Sequence, residues 1–591
     1  MKPSDVRFFV FSVLLAILLV VIIGQDSDGD LYWYHYHNGW SWWNDRLSLD
    51  VAPAGFPSWY NPYMDALFYG LYQYIHPVVY AGLLLGLLQV LAVVPVFYSV
   101  RMLFPASDLR SSRLVVLAGI FGPGWIMEAG TTNGDATTVV LTATAVCLVM
   151  SGIIRVGQSK IPILIFLGGI SAGLATGLKL TNGITSIALV VALALTVSWK
   201  KYPRLLMPLV FGEIAGFLLT GGYWIWQMWT MFGNPFFPQF AKTFPNLLTL
   251  DSTINVARFT PTTLPDSLIW PITFALHPER AGSVVPVPLL LWLVILPLLV
   301  YVLVFHVMFR KLPQPVSAER KFLFWFVLIG FASWEYVFSV FRYLIQIEVF
   351  LPAFGVVVLS VIRDETQALK FFRPIFKLSV FLSLIIALSR SGSARWTENL
   401  FDFSSNMQST HQSVIVFTQP LLGYLAAGFP NDNVVVQIDP YFSHTSKYED
   451  MLRQRLASHN TAFVIEDAQS DWRASHVEKA NEVLASFGML DSSSSCRILQ
   501  NLFGNLHTHA EFHWDNHATH KCRLTETPQD RQEYHSSGKD DPSRWLANDN
   551  NRLESLLGYH IDYSSCTMEK VRNGTKENIY YMCKISKLGF K

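Results

Sequence analysis

Charge is scarce in this chain: Asp, Glu, Lys and Arg make up 15% of its 591 residues, against about 25% in ordinary soluble domains. The shortage is uneven. Up to about residue 390 the sequence is a succession of apolar runs, and beyond it charge, Ser, Asn and His rise sharply. A single soluble core is therefore excluded, and the chain is too long for one in any case. Basic stripes interleaved with aromatics are missing, which argues against a nucleic-acid partner, and the net charge of +1 only hides opposite local signs. Cysteine is rare, five in all, with four in the last hundred residues. The N-terminal stretch lacks a small-x-small cleavage signal before Asp26, so Met1–Gly24 is expected to stay as a first helix.

What is present is membrane-sized hydrophobicity. A span needs about 20 apolar residues, and eleven stretches qualify or nearly so: 8–24, 78–100, 114–128, 136–154, 161–178, 183–199, 205–226, 286–308, 322–340, 344–362 and 375–389. Alternating the loops puts eighteen Lys and Arg on the side of Lys2 and Arg7. Six fall on the other side: Arg46, Lys179, Lys242, Arg258, Arg280 and Arg342. By the positive-inside rule the N-terminus is cytoplasmic and the C-terminus extracytoplasmic. The expected fold is a multi-pass α-helical membrane protein of about 11 transmembrane helices in the cell inner (cytoplasmic) membrane. Residues 1–390 form the membrane module, and 391–591 a periplasmic, extracytoplasmic domain.

That C-terminal part reads as a small α/β domain. Ser413–Gln419, Val434–Asp439 and Ala462–Asp467 have the pattern of short buried strands, with amphipathic helices at Lys447–His459 and Arg473–Phe487. Cys496 and Cys566 each follow an Asp and a Ser run and each has a later partner, Cys522 and Cys583. The two stretches echo one another, and the local pairing 496–522 and 566–583 is expected among three connectivities, in an oxidising compartment. Cys147 lies alone in a span and reads as a small apolar residue. His507, His509, His513, His517 and His520 crowd one loop. They read as a solvated insertion or a zinc site, although no Cys or carboxylate completes a usual ligand spacing.

Polar groups gather at the outer ends of the spans, where ionisable residues are costly and often functional. The first outer loop opens with Asp26, Asp28 and Asp30, then Tyr34-His35, and runs through Trp-rich sequence to Asn61 and Asp65. Later outer turns hold Asn133-Gly134-Asp135, Lys179, and Arg342-Tyr343 with Glu348 a little deeper. Carboxylates beside cations at one face suit a phosphate leaving group. A carboxylate serves as general base, and cations, here Lys179 and Arg342, stabilise the departing phosphate. Each residue also has a structural reading: the acidic trio stops a span, and Lys179 snorkels.

These stretches, in this order and on one side, resemble the GT-C class of membrane glycosyltransferases, which use polyprenyl-phosphate-linked sugars on the outer face of the membrane. The carrying residues are Asp28 and Asp30 with Tyr34-His35, Asn133-Gly134-Asp135, Gly177-Leu178-Lys179, Gly233-Asn234-Pro235, and Arg342-Tyr343 followed by Glu348. The resemblance covers residues 1 to about 390. It implies an inverting hexosyl or pentosyl transfer to an acceptor hydroxyl, with Asp30, favoured over Asp28, as the base. Lys179, Arg342 and Tyr343 would hold the donor phosphate, and Tyr34, His35, Asn61, Asp65, Asn133, Asp135 and Glu348 would surround the substrate. The implied partners are a polyprenyl-phosphate-linked sugar, a glycan, lipid or protein acceptor, and membrane lipid. Some relatives use a divalent metal, so Mg or Mn joins the expectations. The competing readings are a transporter or flippase of a lipid-linked saccharide, a polysaccharide polymerase or ligase, and a structural or receptor role for the outer domain. The spans show no internal repeat of the kind that marks transporters, and the late outer loop 227–285 is poor in the basic residues expected of a polymerase.

Overall fold

A computed structural model of the chain describes residues 2–588 except 156–160, 252–258, 283–284, 286, 310–315, 391–393, 420, 469–476, 479, 483, 486–487, 506–509, 517–520 and 529–541. Most of the expected helix Arg473–Phe487 and most of the His-rich loop lie outside the described residues. Of that loop's five histidines only the His513 side chain is described, and it is exposed.

All eleven apolar stretches fall on helices. Among the described residues, six helices or near-continuous pairs are long and apolar enough to cross a membrane: Pro3–Ile23, Val79–Leu103, Asp135–Ile154, Ile161–Leu178, Trp199–Phe232 and Glu365–Ser389. A seventh is a broken pair, Phe341–Glu348 and Leu351–Leu359, bent by 56°. Shorter apolar helices occupy Leu180–Thr196, Leu264–Leu276 and Leu290–Val304. The number of true crossings therefore depends on how the short and bent pieces sit in the bilayer. The stretch 114–128 divides at Phe121–Gly122 into helices Leu109–Ile120 and Pro123–Glu128. Pro123 suits the start of the second, where its missing N–H has no intrahelical partner to lose.

One helix pair explains how the helix ends nearest the acidic loop are set. Gly169, Gly173 and Gly177 recur every four residues along Ile161–Leu178 and face Gly212, Gly216 and Gly221 of Tyr202–Phe232. A Cβ at Gly173 would lie 2.1 Å from the Glu213 carbonyl oxygen, so only glycine allows this approach. Asn61 locks the outer end of the pair, its Nδ2 donating to the Gly177 (2.7 Å) and Thr220 (2.8 Å) carbonyls. Lys179 follows directly.

The C-terminal domain is built on six strands: β1 (Ser413–Phe417), β2 (Val434–Gln437), β3 (Thr461–Asp467), and, after the hairpin β4 (Ala510–Asn516) and β5 (Lys521–Glu526), β6 (Tyr559–Ile561), β7 (Thr567–Asn573) and β8 (Lys576–Lys587). The order is β2-β1-β3-β8-β6, with β7 also on β8. The first three strands are parallel, with Val414 opposite Val434 on one side and Ala462 on the other; β8 returns antiparallel to β3. Continuous Val and Ile runs fit strands covered on both faces. Both disulfides form as expected, Cys496–Cys522 between helix Ser493–Asn505 and β5, and Cys566–Cys583 between the start of β7 and β8.

The domain is stitched to the first outer loop. Val51 continues the sheet beyond β2, donating to the Val435 carbonyl (2.9 Å) and accepting from Gln437 N–H (3.0 Å). Asp50 accepts from Val435 N–H at 2.8 Å, and the buried Arg46 binds both Asp50 and the Asn433 carbonyl. At the end of the first helix Gln25 donates to Asn573 of β7, and Asn573 donates back to the Asp26 carbonyl. The C-terminal domain thus fixes the loop that carries the acidic trio.

Candidate active site

Two consecutive Asx turns shape the acidic loop. Asp28 N–H donates to Asp26 Oδ1 and Asp30 N–H to Asp28 Oδ1, both at 3.0 Å. Such turns are what Asp does best outside helices. Asp26 also accepts from the backbone (2.8 Å) and hydroxyl (2.9 Å) of Thr132. Burial, aided by Asp28, pushes its carboxyl above the ordinary range. Asp26 is a structural clamp between its own loop and the turn of Thr132, and Asp28 holds Asp30 in place. After Asp30 comes a π-helical turn, Leu31–His35, a widened geometry that is frequent at functional sites.

Asp30 faces the bent segment. Its Oδ2 lies 2.5 Å from Arg342 Nη2 and accepts from the Tyr34 hydroxyl at 3.1 Å. Burial pushes the Asp30 carboxyl up, but Arg342, His35 and Lys179 together outweigh burial and hold it below its ordinary value. It is therefore ionised at neutral pH. Desolvation raises the Tyr34 phenol well above its usual pKa, so it stays a donor to Asp30.

Beside this pair stands a second one. Lys179 Nζ is 2.7 Å from Asp135 Oδ2 and donates to the Asn133 carbonyl at 2.6 Å. Asp135, 1% exposed, opens helix Asp135–Ile154, and Lys179 closes helix Ile161–Leu178. Each charge thus sits at the favourable end of a helix dipole. Gly134 makes the sharp entry with φ of 81°, and a Cβ there would meet Met64 at 2.1 Å. Arg342 Nε lies 3.8 Å from Asp135 Oδ2, joining the pairs into one alternating chain of two cations and two carboxylates. The Tyr343 ring backs both cations, 5.2 Å from Arg342 and 5.4 Å from Lys179. Arg342 Nε and Asp135 Oδ1 are buried without hydrogen-bond partners among the described residues.

The expected site residues divide accordingly. Asp28, Asp30, Tyr34, Asn133, Asp135, Lys179, Arg342 and Tyr343 come together. His35 lies against Tyr34 with ring centroids 4.1 Å apart and the rings tilted by 40°, and binds Asp65 at 2.6 Å, leaving its Nε2 buried and unpaired among the described residues. Asn61 is engaged in joining helices, as above. Glu348 accepts from Gly124 N–H at 2.8 Å, under the start of helix Pro123–Glu128, away from the charged chain's own hydrogen bonds and ion pairs among the described residues. Two residues were not anticipated. Glu128, 4% exposed, accepts from Asn133 Nδ2 and Thr131 Oγ1, both at 3.3 Å. Gln346 donates to the Asp135 carbonyl at 2.9 Å and to Thr138 at 3.0 Å. The only sequence signal for Gln346 was an amide in an apolar stretch, four residues after Arg342.

No three His, Cys, Asp or Glu side chains among the described residues are placed to hold one metal ion. Asp30 and Asp135 each face a cation instead, and the donor set does not fit a divalent metal as it stands.

No protein-family model matches the sequence, and neither does any curated protein. Solved structures do match. ArnT from Cupriavidus metallidurans bound to undecaprenyl phosphate aligns over 82% of this chain and 95% of its own, with a TM-score of 0.50 and 13% identity. The archaeal oligosaccharyltransferase AglB from Archaeoglobus fulgidus, in complex with an inhibitory peptide and a dolichol-phosphate, aligns over 90% of this chain and 75% of its own, with a TM-score of 0.44 and 11% identity. The first of these likenesses carries the fold: the chain is a multi-span membrane protein with the GT-C-type glycosyltransferase fold and a C-terminal sheet domain.

Proposed function

We propose that this protein is a membrane glycosyltransferase that moves a sugar from a polyprenyl-phosphate donor to an acceptor hydroxyl at the outer face of the membrane. The observation that carries this reading is the 2.5 Å contact between Asp30 and Arg342, with Lys179 alongside on Asp135. A candidate base and two candidate phosphate ligands stand in one cluster at the outer ends of spans. That the ArnT structure of like fold holds undecaprenyl phosphate supports the donor class.

The acceptor oxygen attacks the anomeric carbon while its proton passes to Asp30. The bond from that carbon to the phosphate oxygen breaks, and its electron pair leaves with the lipid phosphate. Arg342 and Lys179 take up the charge that develops there. In an inverting displacement the nucleophile and leaving group lie on opposite faces of the sugar, so the resting Asp30–Arg342 contact has to open. Incoming phosphate competes with Asp30 for the guanidinium, and the freed carboxylate turns to the acceptor. In this reading residues 1–390 are the catalytic module, 391–591 the extracytoplasmic domain, and the N-terminus is cytoplasmic in an inner membrane.

The test is direct. Purified protein is incubated with a panel of polyprenyl-phosphate sugars, and free lipid phosphate is measured. Release that depends on acceptor supports the reading; movement of an intact lipid-linked sugar across vesicles without release contradicts it.

A further inference from the structure

The end of the first span opposite the acidic loop carries charge that the transfer chemistry does not use. Helix Pro3–Ile23 is long enough to cross a bilayer, so its start, with Asp5 and Arg7, and its end, which leads into Asp30, lie about 30 Å apart.

A cavity of about 480 Å³ opens at that start, lined by Ser4, Arg7, Phe8, Phe11 and Arg113. Arg113 comes from the neighbouring helix Leu109–Ile120. Its Nη2 donates to the Ser4 carbonyl at 2.7 Å and lies 3.5 Å from Asp5. Its guanidinium stands 5.5 Å over the Phe8 ring, which helps to hold it in place. Arg113 Nε stays buried with no hydrogen-bond partner among the described residues, so Ser4 and Asp5 do not saturate the group. Arg7 is exposed and enters no hydrogen bond or ion pair among the described residues. A lone arginine at a span end is only a topology signal. Two that line one cavity, one of them held rigid by a second helix, make a site for a phosphate.

Below the cations runs an apolar track. Arg7, Phe11, Leu14, Leu18 and Val21 follow at steps of four, three, four and three, which puts them on one face of the helix. The four apolar side chains are exposed along it. From Phe11 to Val21 the track is about 15 Å long, half the hydrocarbon thickness of a bilayer. A phosphate in the cavity with an acyl chain on the track is the shape of one leaflet's phospholipid, whereas free phosphate leaves the track unused. The walls set two guanidinium groups against one carboxylate, Asp5. A headgroup of net negative charge balances that surplus, and the ammonium of a zwitterionic headgroup is repelled by it.

We infer that the cavity between the start of helix Pro3–Ile23 and Arg113 binds an anionic phospholipid, with its phosphate on Arg7 and Arg113 and an acyl chain along Phe11, Leu14 and Leu18. The lipid ties the first span to helix Leu109–Ile120 at the end away from Asp30. This site goes beyond the transferase reading and does not rest on it.

The experiment is native mass spectrometry of the detergent-solubilised full chain, without polyprenyl lipid. The probes are dioleoyl phosphatidylglycerol, dioleoyl phosphatidylcholine and inorganic phosphate. Phosphatidylglycerol should form a saturable adduct about tenfold tighter than phosphatidylcholine, and Arg7→Gln should erase that preference, as expected for one lost charge-assisted hydrogen bond. Arg7 is exposed and without a described partner, so the fold does not rest on it. Lys200→Gln, an exposed cation at another helix start, and Arg342→Gln in the candidate active site should both keep the preference. Equal affinity for the two lipids, a preference that survives Arg7→Gln, or one lost instead in Lys200→Gln or Arg342→Gln overturns the inference and leaves Arg7 a topology signal. Inorganic phosphate that competes as well as phosphatidylglycerol also overturns it, because the acyl track then adds nothing. No sugar donor is present, so an inactive turnover assay bears on the transferase reading alone.

Discussion

Arg342 reaches across 312 residues of sequence to place Nη2 2.5 Å from Asp30 Oδ2. The contact joins the loop after the first span to the bend of a broken one. It gives Asp30 its low pKa, and that has a kinetic signature. A base must be ionised to act, so the rate should hold as pH falls and be lost only below the ordinary carboxylate value of about 4. Removing the guanidinium removes the main lowering influence on a buried carboxyl. The residual kcat/KM of Arg342→Gln should therefore show its acid limb moved to higher pH. A limb that stays in place in this variant would separate Arg342 from the base.

Lys179→Ala should weaken donor use strongly. It should also unsettle the fold, because the buried Asp135 would lose its close partner and keep only the 3.8 Å approach of Arg342; breaking a buried pair costs up to roughly 3–5 kcal/mol. The double variant Lys179→Ala, Asp135→Asn should restore stability but not donor affinity. Thermal unfolding and donor titration together check this, and recovery of both by the double variant would return Lys179 to a structural role.

The glycine seam makes a prediction about position rather than chemistry. Gly173→Leu drives a side chain into the Glu213 carbonyl and must part the helices whose ends hold Asn61 and Lys179. Overpacking of this kind costs about 1–3 kcal/mol or more. Expression should fall, and any folded fraction should bind donor poorly; normal donor affinity would show that the seam does not set the site.

Topology and redox state are linked. A reporter fused after Lys591 that works only in an oxidising compartment should be active. Replacing Cys566 and Cys583 by Ser should lower stability by about 3 kcal/mol, from the loop the bond closes. Cytoplasmic reporter activity, or unfolding that ignores reductant, would contradict the expected sidedness.

The apolar helices, the gathering of charge at their ends, the strands of the tail and the disulfides were all legible because each rests on local pattern: run length, polar clustering, alternation and cysteine spacing. What the sequence hid is pairing across the fold. Nothing local tells that Asn61 caps a helix pair through Gly177 and Thr220, or that Glu348 binds Gly124 while Gln346, two residues earlier, reaches Asp135. A bend of 56° between Glu348 and Leu351 decides which of those neighbours faces the charged cluster. Bends and close approaches are tertiary facts, and polar residues of one type read alike until the partner is known.

The central claim is that Asp30 takes the acceptor's proton, and Asp30→Asn tests it most directly. Asn keeps the size and still accepts from Tyr34, but it has no basic lone pair to receive a proton, a loss of about 10²–10⁴-fold for general-base catalysis. Lipid-phosphate release and donor binding are measured on the same preparation. Turnover should disappear while donor binding persists. Asp28→Asn should be milder, because its remaining carbonyl oxygen can still accept from Asp30 N–H. Turnover at the native rate in a normally inserted Asp30→Asn protein would remove the base from this account and contradict it.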